Sequence, residues 1–232
     1  LFGSAITVPQ LVTVDTPQIV GFMRFDNVNA YTIGTSGSNF LTLNNGASNA
    51  VVSLTSGSHF IAENMALLSN ASIIAASGTQ LSISGVMSGT GRSVELSGGG
   101  TLALSAVNTY TGATTVNAGI LNLTGSLTGG AAVTINGTGV LNQSSTGVIS
   151  GSATVTHNSS GSSVLAGPNT YTSTTTVSNG TLTLSGARTG SSGAFNVGTV
   201  AGQNATLNIS NGTFALGAVS YTHLTLPTKR IV

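Results

Sequence analysis

Apolar and polar residues alternate in very short segments along this chain. Leu41-Thr42-Leu43, Val52-Ser53-Leu54, Leu81-Ser82-Ile83, Val94-Glu95-Leu96, Leu102-Ala103-Leu104, Leu121-Asn122-Leu123, Val133-Thr134-Ile135, Leu182-Thr183-Leu184, Phe195-Asn196-Val197 and Leu207-Asn208-Ile209 all read apolar, other, apolar. Each predicts a short strand with one buried side. Between them lie Asn, Gly and Ser clusters, among them Asn44-Asn45-Gly46, Gly98-Gly99-Gly100, Asn136-Gly137 and Asn211-Gly212, which suit tight turns. Helical periodicity of useful length is missing, and Glu63 to Ser69 is the nearest approach to it.

The strands also recur. Asn108 to Leu123 returns as Asn169 to Leu184 with 10 identities in 16 positions and no gap. Leu102 to Leu121 is 19 residues, Val133 to Val155 is 22 and Phe195 to Phe214 is 19, intervals that fit one coil of a β-solenoid. An antiparallel sandwich would also give many short strands. The solenoid is favoured because the segments are shorter than ordinary strands, because outward positions carry almost no charge to guard open edges, and because the 61-residue offset divides into about three coils. With coils about 4.8 Å apart, Tyr110 and Tyr171 are expected on one face, about 14 Å apart and not touching. Asn and Thr at turns or on outward faces can then form ladders of like side chains.

Composition narrows the function classes. Only 4% of the 232 residues are charged while 40% are hydrophobic, and 32 are glycine. Charge-driven disorder is excluded. There is no cysteine, so neither disulfides nor thiolate metal sites contribute. No run of 18 or more apolar residues would make a membrane-spanning helix, and no signal peptide is visible at Leu1.

The segment Val219 to Val232 breaks the pattern. It lacks glycine and holds Lys229 and Arg230, two of the five basic residues. Through Thr228 it resembles translated sequencing-adapter read-through, so residues 219–232 are set aside as a non-native tail. The remaining three basic residues face four acidic ones, a net charge of −1 rather than +1, and no basic surface for nucleic acid is left.

The string Gly99 to Leu121, with Gly99-Gly100-Thr101-Leu102 and Asn108-Thr109-Tyr110-Thr111-Gly112 at its centre, resembles the autotransporter-associated β-strand repeat. The second copy differs at Pro168 and Ser173, and Phe25 to Ile33 and Asn204 to Thr213 look like flanking family sequence. The resemblance implies an all-β fold, a right-handed parallel β-helix over residues 1–218, incomplete and uncapped, with repeat units near 99–125 and 160–186. It also implies the passenger of a type V secreted protein, displayed outside the bacterial cell and carried by an outer-membrane β-barrel translocator.

Candidate chemistry is sparse. The acidic residues before the tail are Asp15, Asp26, Glu63 and Glu95. At coil spacing Asp15 and Asp26 fall half a coil apart, and Glu63 and Glu95 one and a half, so neither couple forms the carboxylate pair of a glycosidase. His59 and His157 have no acidic neighbours and read as exposed turn or face residues rather than metal ligands; Arg24, Arg92 and Arg188 read as isolated. Glycine runs lack the lysine and helix of a phosphate loop. Thr109/Thr111, Thr170/Thr172 and Thr181/Thr183 recur too rarely for a water-ordering array, leaving strand propensity as their explanation.

The sequence thus names no catalytic, cofactor or metal residue. It points to a non-enzymatic stalk or adhesin-type segment whose partners are host or matrix ligands or glycans, and whose uncapped ends associate end to end. The alternative is a fragment of a carbohydrate-active β-helix whose catalytic coils lie elsewhere.

Overall fold

A computed structural model describes residues 6–35, 40–190, 193–199, 202–210 and 218–221. Parallel strands stack into a β-solenoid, and no helix occurs among the described residues. The coils contribute strands to three faces, the third continuing beyond Val148–Ile149, among the described residues, only as the isolated bridge between Asn169 and Arg188.

On the first face, Gln10–Val14 pairs with Tyr31–Thr35, which pairs with Ser58–Ile61. The series continues through Gln80–Ile83, Thr101–Leu104, Ile120–Leu123, Val140–Gln143 and 164–165. It ends through 181–184 and Ala205–Ile209. Nine successive pairings make about nine turns, spanning about 45 Å at the coil spacing.

The second face runs in parallel from Phe22–Asp26 and Ala50–Ser56 to Phe195–Val197 and Val219–Tyr221. The third face is thinner, falling to two-residue strands such as Met87–Ser88, Val107–Asn108 and Ser126–Leu127. Such short strands show no alternation that a sequence reading could detect.

All ten alternating segments lie in strands. Except at Leu207 and Ile209 in the last segment, where Ile209 is exposed, their apolar positions turn inward and stack in register: Leu81 on Leu102, Leu102 on Leu121 and Leu104 on Leu123, each nearly without exposure. Every such side chain removed from water contributes about 1.5–3 kcal/mol. Leu102 pairs with Leu121 and Val133 with Val155, as the intervals predict.

Three expectations change. Phe195 pairs with Val219 rather than Phe214, which lies outside the described residues. Glu63 to Ser69 is not helical, because Asn64–Leu67 is a strand with Met65 and Leu67 inward. Coil length also stretches beyond the 19–22 expected: Thr32 pairs with Phe60, 28 positions on, and Gly180 with Ala205, 25 on.

Glycine is needed where the second face turns into the first. Gly119 (φ +79) and Gly180 (φ +68) stand at equivalent corners of the two repeats, and a Cβ would lie 2.4 Å from the Gly100 carbonyl or 2.1 Å from that of Ser159. A side chain at either corner would be both strained and blocked.

Candidate functional site

Among the described residues the fold separates the acidic groups from the basic ones, apart from the pair Arg24 and Asp26. Asp26 ends a strand of the second face, where it accepts from Arg24 Nη2 at 2.8 Å and from the Thr55 hydroxyl at 2.8 Å. Asp15 lies on the rim of an open hollow of about 340 Å³ at the first coil, floored by Val12, Val14 and Met23. Glu95 accepts from Asn117 Nδ2 at 2.6 Å. Glu63 is 2% exposed, and its Oε2 is buried without a hydrogen-bond partner. Among the described residues no cluster of His, Cys, Asp and Glu could hold a metal ion.

The histidines are not exposed: both are fully buried. His59 stacks against both Phe25 and Tyr31, with centroids 4.7 and 5.9 Å away, and those two rings lie 6.4 Å from each other. The Tyr31 N–H donates to its Nδ1 at 3.1 Å, so Nε2 carries the proton and faces the Ser56 carbonyl at 2.8 Å. His157 takes a core position between Ile135 and Val177. Its Nδ1 meets the Asn179 carbonyl at 2.8 Å and its Nε2 meets Ser163 Oγ at 3.1 Å. Desolvation pushes both imidazoles below the usual histidine range, opposed by their backbone hydrogen bonds.

His157 and Ser163 have the contact distance of a nucleophile and its base. Yet Ser163 is also fully buried, and its hydroxyl already accepts from the Leu141 N–H at 3.0 Å. No substrate carbonyl can reach it. The pair satisfies backbone and side-chain polar groups within the core.

The repeat itself is built the same way. Tyr110 and Tyr171 both point inward, 3% and 0% exposed. Each hydroxyl bonds the threonine four residues on, Thr114 at 2.6 Å and Thr175 at 2.7 Å. Burial pushes Tyr110 up to about 12 and raises Tyr171 as well. Asn108 and Asn169 are buried too. Asn108 Oδ1 accepts from Met87 N–H on the preceding coil at 3.0 Å, and Asn169 Oδ1 from Ile149 N–H at 2.8 Å. Arg188 is also in the core at 2% exposure, donating to the Ser173 and Gly193 carbonyls at 2.8 and 3.2 Å. Its guanidinium lies 4.7 Å from the Tyr171 centroid and 4.8 Å from that of Phe195.

What faces outward is of another kind. No Asp, Glu, Lys or Arg occurs between Glu95 and Arg188. Within this stretch the outward positions of the second face stack Thr115 on Thr134, Thr134 on Thr156 and Thr156 on Thr176. Two residues along, Asn117, Asn136 and Asn158 form a second column. The column escapes a reading of adjacent residues because its members lie 19 to 22 positions apart on separate coils.

The fold is thus a parallel β-solenoid of repeated coils, and the buried polar side chains of both repeat copies bond their own coil or a neighbouring one. The family model described as passenger-associated-transport-repeat matches residues 95–123 and 155–184. The match and the stacked coils fit an autotransporter-type passenger β-helix repeat in these two segments, as the residues around Tyr110 imply. That family is a structural passenger repeat rather than an enzyme family. Comparison with curated proteins and with solved structures gives no match.

Proposed function

We propose that this chain is a non-enzymatic segment of a surface-displayed or secreted bacterial passenger, serving as a stiff stalk that also makes adhesive contact. One observation carries the reading: nine stacked pairings join the described coils, while the buried polar groups of both repeats bond other coils or their own. Side chains used this way stiffen a rod. The passenger repeat supports display outside the cell, and the carbohydrate-active alternative has no carboxylate pair in its favour.

The first described coil supports end-to-end association in the isolated chain. Gln10–Val14, Gln18–Val20 and Phe22–Asp26 each pair on one side only among the described residues, over the apolar hollow. Sedimentation should show mass rising with concentration; a concentration-independent monomer would reject this part.

The functional test is to display the chain as passenger on a bacterial surface and measure attachment to immobilised matrix proteins and glycans, alongside hydrolysis of the same glycans. Attachment without hydrolysis is expected. Turnover of any glycan by the chain alone would overturn the proposal.

A further inference from the structure

We propose that the threonine–asparagine columns of the second face bind a neutral polysaccharide lying along the solenoid axis. The inference rests on the adhesive reading above and names its ligand class.

Three observations carry it. The hydroxyls of Thr115, Thr134, Thr156 and Thr176 stand in register on four successive coils. None has a side-chain hydrogen bond among the described residues, whereas the inward Thr114 and Thr175 hydroxyls are bonded to tyrosines. Four donor–acceptor groups therefore face solvent about 4.8 Å apart, with the asparagine column about 6.6 Å to one side.

The amides, in turn, are held in one sense. Asn117 Nδ2 donates to Glu95 Oε1 at 2.6 Å, and Asn136 Nδ2 to Asn117 Oδ1 at 3.2 Å. This chain of bonds orients the Asn136 amide and lowers the ordering cost of a contact. The exposed Asn158 continues the column.

The third observation is charge. Glu95 stands on Thr115 at one end of the column, and from residue 96 to residue 187 there is no Asp, Glu, Lys or Arg, while His157 is buried. An anionic polymer finds no cation here, and nucleic acid is excluded on the same ground. A protein partner, with about a quarter of its residues charged, would lose hydration of those charges without gaining partners. A neutral polysaccharide suffers neither penalty, offers hydroxyls that both donate and accept, and repeats along its length as the columns do. Each contact is weak, and affinity comes from several coils engaging one chain.

The test uses the full 232-residue chain in pull-downs with insoluble cellulose, chitin and β-1,3-glucan. At least one should retain the protein, and 1 M salt should change retention less than about twofold because no ion pair is involved. The double variant Thr134→Val/Thr156→Val keeps branched outward side chains and removes two central hydroxyls; it should weaken retention by about tenfold or more. Thr183→Val on the first face is the control and should change retention less than about twofold, with circular dichroism confirming the fold of both. Equal retention by parent and double variant, loss of retention in salt, or failure on all three polymers would overturn the inference, as would inhibition of ice growth without polymer binding. Attachment to cells or matrix that persists in the double variant would overturn the inference and leave the adhesive reading standing, while a parent that attaches to nothing would remove both.

Discussion

The two repeat copies share their tyrosine, threonine and asparagine, yet those residues meet different surroundings. Beside Tyr110 lies a small open hollow of about 10 Å³, lined by Gly112, Gly129, Gly130 and Ala131 together with Leu127 and Val133, with no charged side chain. Around Tyr171 the next coil supplies Arg188, which stacks on the ring and on Phe195. Asn169 differs in the same way: it exchanges two bonds with the buried Gln143, at 2.7 and 2.8 Å, whereas the side-chain bonds of Asn108 go only to backbone groups. The motif therefore fixes contacts within its own coil and the bond to the coil before it. What lies beyond is set by residues outside the motif.

The sharpest way to break this comparison is to truncate the rings. Tyr110→Ala and Tyr171→Ala should each cost about 3–5 kcal/mol in urea unfolding, with Tyr171 the more costly because Arg188 loses its stacked face. Equal costs would mean that the second environment adds nothing. Next, Arg188→Ala should cost about 3 kcal/mol, since it opens a cavity and strands the Ser173 and Gly193 carbonyls. The positive charge of Arg188 opposes the rise in the Tyr171 pKa, so its loss should move the Tyr171 titration further up and leave that of Tyr110 near 12. A shift in both tyrosines would show that the environments are coupled.

Asparagine effects should be smaller. Asn108→Ala should cost about 1–2 kcal/mol, and Asn169→Ala about 2–3 because it also leaves the Gln143 amide buried and unsatisfied. A double-mutant cycle of Asn169 with Gln143 should show coupling, and additive losses would contradict the contact.

The mildest effect is that of acid. His59 and His157 have folded pKa values below the 6.5 of the unfolded chain, so the unfolded state binds more protons as pH falls. Their stabilisation is complete above about pH 6.5 and is lost as pH drops through the folded values. The thermal midpoint should fall steadily from pH 7 to 5. His59 should contribute more of the fall than His157, because its Nδ1 faces a backbone N–H that cannot turn into an acceptor, whereas the Ser163 hydroxyl beside His157 can rotate. A flat profile, or one abolished by His157→Gln alone, would reject that ranking.

Much of this architecture was legible because period-two alternation and a gapless repeat are local signals. The segments around Leu102 and Leu121 showed their inward side from neighbours two residues away, and the 61-residue offset gave the number of coils. Residues that depart from local alternation were not legible. His157 stands where Ile135 and Val177 do, and only the stacking of coils shows that a histidine occupies an apolar column. Arg188 follows Asn169 in the same inward position one coil on, with no sequence cue that distinguishes it from a surface arginine.

The sequence by itself determined that this chain coils into parallel strands, where its turns fall and that its motif is a packing unit, since burial and turn geometry are written in residues close together. Only the tertiary structure decided which polar groups are buried and which threonines line up in the open. Those relations join residues about twenty positions apart, and coil lengths vary, so register rather than spacing sets which side chains meet.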